Sequence, residues 1–490
     1  MRRMSTTDSL LARLAEVEPA ARALEESPDE RRELTTRVTD LGHRILDDLA
    51  ERSIWDRSPG AAQALLEMGV PDQPQDLDAV LDLVAREIDG PGLQPAHGGH
   101  MGYIPGGGIY AGALGDWLAA VTNRYAGVFY AGRGAVRLEN LLVRWLCRLV
   151  GYPAEAFGTL TSGGSVATLV AVTAARDAKG IRAREVERSV VYATGQAHHC
   201  VRKALAIAGL SEAPLRTVPM DEAYRMDPAA LAELVRADRA AGLRPFLLVG
   251  TAGTTDTGAV DPLDALADVA AAEDMWLHVD GAYGGAFLLL DDMRPRFAGI
   301  ERSDSVVIDP HKGLFNPYGT GAVVVRDPAH LAPSHGHRGV YLQDALTADE
   351  EPSPADLSPE LTRHFRGLRM WLPLVLHGLD RHRAALEEKR LLALLFHERA
   401  RELGFEVGPP PDLSVAMFRW VPRDGSDATA FNERLLQAVL EDGRVFLSTT
   451  TIDGVYWLRV AVLCFRSHRD RIDAVLEVLA REVGATISDR

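Results

Sequence analysis

Between about residues 155 and 330 the chain alternates short β-rich apolar runs with helical stretches, an order that few architectures accommodate. The runs are Val190-Val191-Tyr192, Phe246-Leu247-Leu248-Val249, Met275-Trp276-Leu277-His278-Val279, Ser305-Val306-Val307-Ile308 and Ala322-Val323-Val324-Val325. Near-continuous apolarity predicts strands covered on both faces, and the intervening helices predict a mainly parallel α/β sheet. Asp261 followed by Pro262 predicts an N-cap and a helix to about Asp274. After about residue 375 the pattern reads helix (380–403), strand (413–420), helix (428–440), two strands (444–448 and 455–463) and helix (469–482), a small α+β unit. Near the amino end, Leu34, Val38, Leu41, Ile45 and Leu49 form the stripe of an amphipathic helix, which must pack on the body of the chain or on a partner. The 490 residues are therefore expected to divide into an N-terminal helical arm (1–95), a large domain (96–375) and a small C-terminal domain (376–490). Residues 334–360, rich in Gly, Pro, Asp and Ser, are expected to be a mobile loop on a rigid scaffold.

The formal charge of -16 argues against nucleic acid or an anionic membrane as partner, since both draw on clustered Lys and Arg. Cys147, Cys200 and Cys464 are far apart with no CxxC spacing, which predicts neither a disulfide framework nor a zinc site and fits a reducing compartment. The start, Met1-Arg2-Arg3-Met4-Ser5-Thr6-Thr7-Asp8, runs into a Leu/Ala/Glu stretch that lacks the apolar core of a signal peptide, and no later run reaches membrane-spanning length. A cytoplasmic protein acting on a small molecule is expected.

Two segments carry the strongest chemical signal. His278-Val279-Asp280-Gly281-Ala282-Tyr283-Gly284-Gly285 and Asp309-Pro310-His311-Lys312-Gly313 each follow a predicted strand, so Asp280 and Lys312 can point into one crevice at the carboxyl ends of the sheet. An acid and an amine there suit pyridoxal 5'-phosphate (PLP), which needs a lysine to bond its aldehyde and a carboxylate to keep its pyridine nitrogen protonated. Either residue alone would read as a turn or surface group; it is the pairing that carries weight. Thr161-Ser162-Gly163-Gly164-Ser165 precedes a helical run and offers free N–H groups to a phosphate. In Gln196-Ala197-His198-His199-Cys200 an imidazole can lie over a cofactor ring; three adjacent residues cannot all turn to one tetrahedral metal ion, so His199 and Cys200 are expected to be packing residues.

These four segments, in this order, resemble the group II PLP-dependent amino-acid decarboxylases, over about residues 97 to 466. The resemblance implies the aspartate-aminotransferase type I fold, with an arm clasping a second subunit and active sites at the interface of a homodimer. It implies Lys312 as the Schiff-base lysine, Asp280 as the pyridinium partner, Ala282 under the ring and His198 stacked on it. Gly164, Ser165 and His311 would surround the phosphate and Thr255 would line the pocket. His364-Phe365-Arg366-Gly367-Leu368-Arg369-Met370-Trp371 is similar to the stretch after the family's mobile loop, which makes Tyr341 the candidate proton donor, assisted by His198.

The implied reaction converts an L-amino acid to its amine and carbon dioxide. In His97-Gly98-Gly99-His100-Met101-Gly102-Tyr103-Ile104-Pro105, the residues Tyr103 and Ile104 are the candidates to touch the substrate side chain. Gly106-Gly107-Gly108 lacks the hydroxyl that aromatic-specific relatives place there, and Gly127, Arg133 and Arg137 stand where bulkier or neutral residues are expected. Aromatic and aliphatic substrates, and even an acidic side chain, therefore stay open. The alternatives are an aldehyde synthase, which usually replaces the loop tyrosine, a PLP-dependent carbon–carbon lyase, which would normally carry a membrane anchor, and a catalytically silent scaffold, which has no reason to keep Lys312, Asp280 and His198 together.

Overall fold

The computed structural model describes residues 5–58, 60–336 and 351–484, within two compact units, Met1–Leu93 and Gln94–Arg490. In the first unit, the helices Thr6–Arg22 and Pro28–Asp47 both open with a capping box: the Ser5 and Ser27 hydroxyls accept from Asp8 and Glu30 N–H, and those acids accept from the serine N–H in return. Pro28 takes the first helical position, where its missing N–H leaves no bond unmade. The stripe expected over residues 34–49 is only partly used. Leu41 is buried, Leu34 and Val38 remain exposed, and Leu49 is buried in the turn past the helix end. No residue of Thr6–Arg22 is buried, and Leu10, Leu11 and Leu14 are 61%, 59% and 56% exposed.

The second unit is built on a seven-stranded sheet of β1 (Phe157–Thr161), β2 (Ser189–Thr194), β3 (Leu215–Val218), β4 (Arg244–Thr251), β5 (Trp276–Asp280), β6 (Ser305–Ile308) and β7 (Gly321–Val325), in the spatial order β1-β7-β6-β5-β4-β2-β3. Only β7 runs antiparallel, to both β1 and β6, so the carboxyl ends of the other six strands share one edge. Every residue of β1, β2, β5, β6 and β7 is buried, as continuous apolar runs require when helices cover both faces. Tyr192, Phe246, Trp276 and Phe287 fill the core around them.

One local expectation fails instructively. The helix Leu263–Ala272 has Pro262 at its N-cap, and Asp261 does not cap it. The Asp261 carboxylate instead accepts from Met226 N (2.8 Å) and Thr251 N (2.7 Å), two buried donors. Burial pushes its pKa up to about 6.

Toward the carboxyl end the helix Gly367–Glu402 is broken at Gly378, whose φ of 73° and ψ of 164° only glycine adopts easily; the helix expected from residue 380 is its second half. A five-stranded sheet follows, in the order Glu406–Val407, Val415–Arg419, Val455–Ala461, Phe446–Ile452 and His100–Met101. The last of these is parallel to its neighbour, pairing Phe446 with His100 and Leu447 with Met101, so the segment carrying Tyr103 hangs from this sheet. Phe396 and Phe405 meet Phe418 edge-on at 4.9 and 5.6 Å in a core separate from that of the large sheet. Part of the stretch expected to be a mobile loop is anchored: Glu351, within 334–360, is held by Arg144 (2.7 Å) and Asn140 (2.9 Å), and just past it the fully buried Arg363 side chain is held by Glu139 (2.6 Å). Tyr341 lies outside the described residues.

Candidate active site

The carboxyl ends of β1, β2, β4, β5 and β6 open onto one cavity of about 370 Å³, where strand-end loops converge as in other open α/β sheets. Lys312, Asp280, Ala282, His198, Gly164, Ser165, Thr255 and His311 all line it. Tyr103 and Ile104 do not. Ile104 is 3% exposed in the core, and Tyr103 is 65% exposed, its ring 5.5 Å from Phe446, which in turn stacks on His100.

Each wall has a local cause. Lys312 sits on the short helix Pro310–Gly313 directly after β6, which turns its amine back to Asp309 Oδ2 at 3.2 Å. His311 Nδ1 donates to Thr320 O at 2.6 Å, leaving Nε2 3.8 Å from Asp309 Oδ2. Asp280 ends β5, is 7% exposed and accepts from Ala282 N at 3.1 Å. Burial lowers the pKa of His198, opposed by the nearby Asp280 charge, so the ring is held toward its neutral form; its Nδ1 accepts from Cys200 N at 3.3 Å. Cys200 is buried beside Thr168, and burial pushes its thiol up to about 12, too high for a thiolate nucleophile. His199, expected to pack, is exposed, with its ring 4.1 Å from that of His198.

Gly164 and Ser165 are the first two residues of the helix Gly164–Ala178, so their N–H groups precede the intrahelical ladder, and both residues line the cavity. A Cβ on Gly164 would stand 2.8 Å from Asp309 Oδ2, so no other residue fits there without displacing the acid. Similarly, a side chain on Gly106 would run into the carbonyl groups of His311 and Lys312. A side chain is thus sterically excluded at Gly106, whereas at Gly108 the nearest atom to an added Cβ is Pro317 Cα at 3.8 Å.

Sequence reasoning missed Asp309, Gln196, Thr251 and Tyr283 as cavity residues. Asp309 had a readable signal, three residues before Lys312 on a helical turn. Tyr283 did not: its hydroxyl shares a hydrogen bond with Ser414 Oγ (2.6 Å) and accepts from Ser414 N (2.8 Å), a residue 131 positions away.

The wall also fits a polar, phosphorylated cofactor. Among the described residues, Gln196 Oε1, Thr251 Oγ1 and Asp309 Oδ1 are buried without a hydrogen-bond partner, and all three residues line the cavity. One amine, one strand-end carboxylate and a glycine-rich helix start form the donor set that PLP requires. Of the chain's four lysines, Lys179, Lys203, Lys312 and Lys389, only Lys312 lines the cavity.

Residues 59–420 match the family model described as the pyridoxal-dependent decarboxylase conserved domain. The aromatic-L-amino-acid decarboxylase of Bacillus atrophaeus is 31% identical, covering 94% of this chain and 96% of that protein. Tryptophan decarboxylase 2 of Oryza sativa subsp. japonica is also 31% identical, covering 91% and 94%. Among solved structures, Oryza sativa TDC with PLP and tryptamine superposes with a TM-score of 0.89 at 26% identity, over 94% of this chain and 99% of that one. The chain belongs to the pyridoxal-dependent decarboxylases: it is a fold type I enzyme that uses PLP to convert an L-amino acid to its amine and carbon dioxide.

Proposed function

We propose that the substrate is an aromatic L-amino acid and that Lys312, Asp280 and His198 carry the reaction. The observation that supports this most is the convergence of the cavity's single lysine with Asp280 and the Gly164-Ser165 helix start. The aromatic substrate is supported by the two relatives at 31% identity and by the His100, Tyr103 and Phe446 rings beside the Gly106 turn.

Bound PLP supplies a protonated pyridine ring that takes up the electron pair of the bond being broken. Lys312 would anchor the cofactor through its amine, the one lysine amine at the cavity. Asp280 holds the proton on the ring nitrogen, and Gly164, Ser165 and His311 bind the phosphate. Ala282 and Thr255 would line the site of the ring, and His198, held toward its neutral form, would cover it. Tyr103 contacts the substrate side chain, while Ile104 sets the position of Tyr103 from the core. Tyr341 delivers the proton to the substrate Cα after carbon dioxide leaves, with His198 assisting.

The functional unit in this reading is a cytoplasmic homodimer with active sites at the interface, in which residues 1–95 are the arm, 96–375 the large domain and 376–490 the small one. Exposed Leu10, Leu11 and Leu14 on one helix, and Trp117 and Val121 on another, support a partner surface. Three free, buried cysteines support a reducing compartment. Among the described residues no helix is long and apolar enough to cross a membrane.

A panel assay tests the proposal: purified enzyme with PLP against each proteinogenic amino acid and L-DOPA, reading carbon dioxide, amine, aldehyde and peroxide. Amine from aromatic substrates without peroxide is expected, and Tyr341→Phe should divert product to aldehyde, ammonia and peroxide. Aliphatic turnover alone would overturn the substrate class, and unchanged amine yield in Tyr341→Phe would remove Tyr341 from its role.

A further inference from the structure

Asp309 has no part in the function proposed above, yet it is the most enclosed charged group of the cavity, with its side chain 3% exposed. Its Oδ2 faces Lys312 Nζ and, more distantly, His311 Nε2. Its Oδ1 is shut off from solvent and has no donor among the described residues. The carboxylate also abuts Gly164, since a Cβ there would lie 2.8 Å from Oδ2 and 3.3 Å from Oδ1. An acceptor-only group thus stands at the very helix start that offers its N–H groups to an anion.

The titratable groups around Asp309 come from four elements. Lys312 and His311 lie on its own turn, His198 follows β2, Cys200 opens the helix Cys200–Ile207, and Asp280 ends β5. Cys200 stays a neutral thiol and His198 is held toward its neutral form, both by burial. Lys312 is the counter-charge of Asp309, but the functional reading commits its amine to the cofactor carbon. Once that amine is engaged, two anions, the carboxylate and the phosphate, are left side by side.

Resting on that reading, we propose that Asp309 and the cofactor phosphate share one proton, which makes cofactor loading proton-linked. The shared proton would lie between the Asp309 carboxylate and a phosphate oxygen at the Gly164 helix start, which the carboxylate abuts. A phosphate monoanion brings this proton with it; a dianion, which predominates above the second phosphate ionisation at about pH 6, must take it from solvent. No bond to a heavy atom forms or breaks at Asp309.

The test measures the dissociation constant of PLP from wild-type enzyme and from Asp309→Asn, between pH 7 and 9, by absorbance of the bound cofactor. The asparagine amide donates a hydrogen bond without needing the proton. The wild-type to Asp309→Asn ratio of dissociation constants should therefore rise about tenfold per pH unit, the signature of one linked proton. Pyridoxal, which has no phosphate, should show no such rise. As a second check, calorimetry in buffers of different ionisation heat should find about one more proton taken up per PLP bound near pH 8 by the wild type than by Asp309→Asn, since protons gained at the ring nitrogen and at Lys312 are common to both. A pH-independent ratio, no difference in proton uptake, or the same rise with pyridoxal would overturn the proposal alone, the last by making Asp309 merely a partner of Lys312. Absence of any PLP binding that Lys312→Ala removes would overturn the functional reading and this proposal together.

Discussion

The cavity and the turn that carries Tyr103 are built differently. The cofactor side rests on the ends of parallel strands in one sheet, with β5 and β6 buried along their whole length. The segment that carries Tyr103 hangs from the smaller C-terminal sheet by the two-residue strand His100–Met101. Its backbone is unusual: Tyr103 and Ile104 both have φ of 58°, followed by Gly107 at 89° and Gly108 at 65°. Left-handed conformations cost non-glycine residues about 1–3 kcal/mol each, and for β-branched Ile104 they are rare, so packing must hold this turn in place. Core burial of Ile104 and the ring contacts of Tyr103 with Phe446 and His100 supply that packing. The contrast suggests a division of labour, with chemistry that every substrate shares on the rigid sheet and the choice of substrate on the separately anchored turn.

Substitutions on the two sides should therefore fail in different ways. The largest effect is expected from Lys312→Ala, a loss of about 10⁴-fold or more in kcat/KM for every substrate, together with loss of the cofactor's visible absorbance band. Asp280→Asn should lower kcat by about 10²–10³-fold, again regardless of substrate, because it removes a charge aimed at the cofactor. Tyr103→Ala is the smallest: about a 10-fold change in KM for the preferred amino acid, with the PLP dissociation constant within about twofold of wild type. A Tyr103 variant that lost cofactor as readily as Asp280→Asn would erase the distinction between the two sides.

Much of the cofactor side was legible in the sequence because its residues sit just past apolar runs, where strand ends must open onto a crevice. Lys312, Asp280 and His198 could each be placed by that rule without knowing what touches them, and Gly164 by the glycine-rich start of the helical run that follows it. Asp309 escaped it although it begins the same short motif, since its significance lies in its closeness to Gly164, which the fold brings from nearly 150 residues away. The pairing of His100 with Phe446 and the Tyr283–Ser414 bond are hidden for the same reason. Gly378 shows a different limit: periodicity suggested a helix from residue 380, but only the backbone reveals a second helix running up to the break. The diversion of Asp261 from capping to binding two buried N–H groups likewise depends on donors from other elements.

The central claim is that Lys312 is the residue that bonds the cofactor. Borohydride reduction of the PLP-loaded enzyme, followed by proteolysis and mass spectrometry, fixes that bond and locates it among the four lysines. A single pyridoxyl group on the peptide containing Lys312 is the expected result; an adduct on Lys179, Lys203 or Lys389, or none at all, would contradict it.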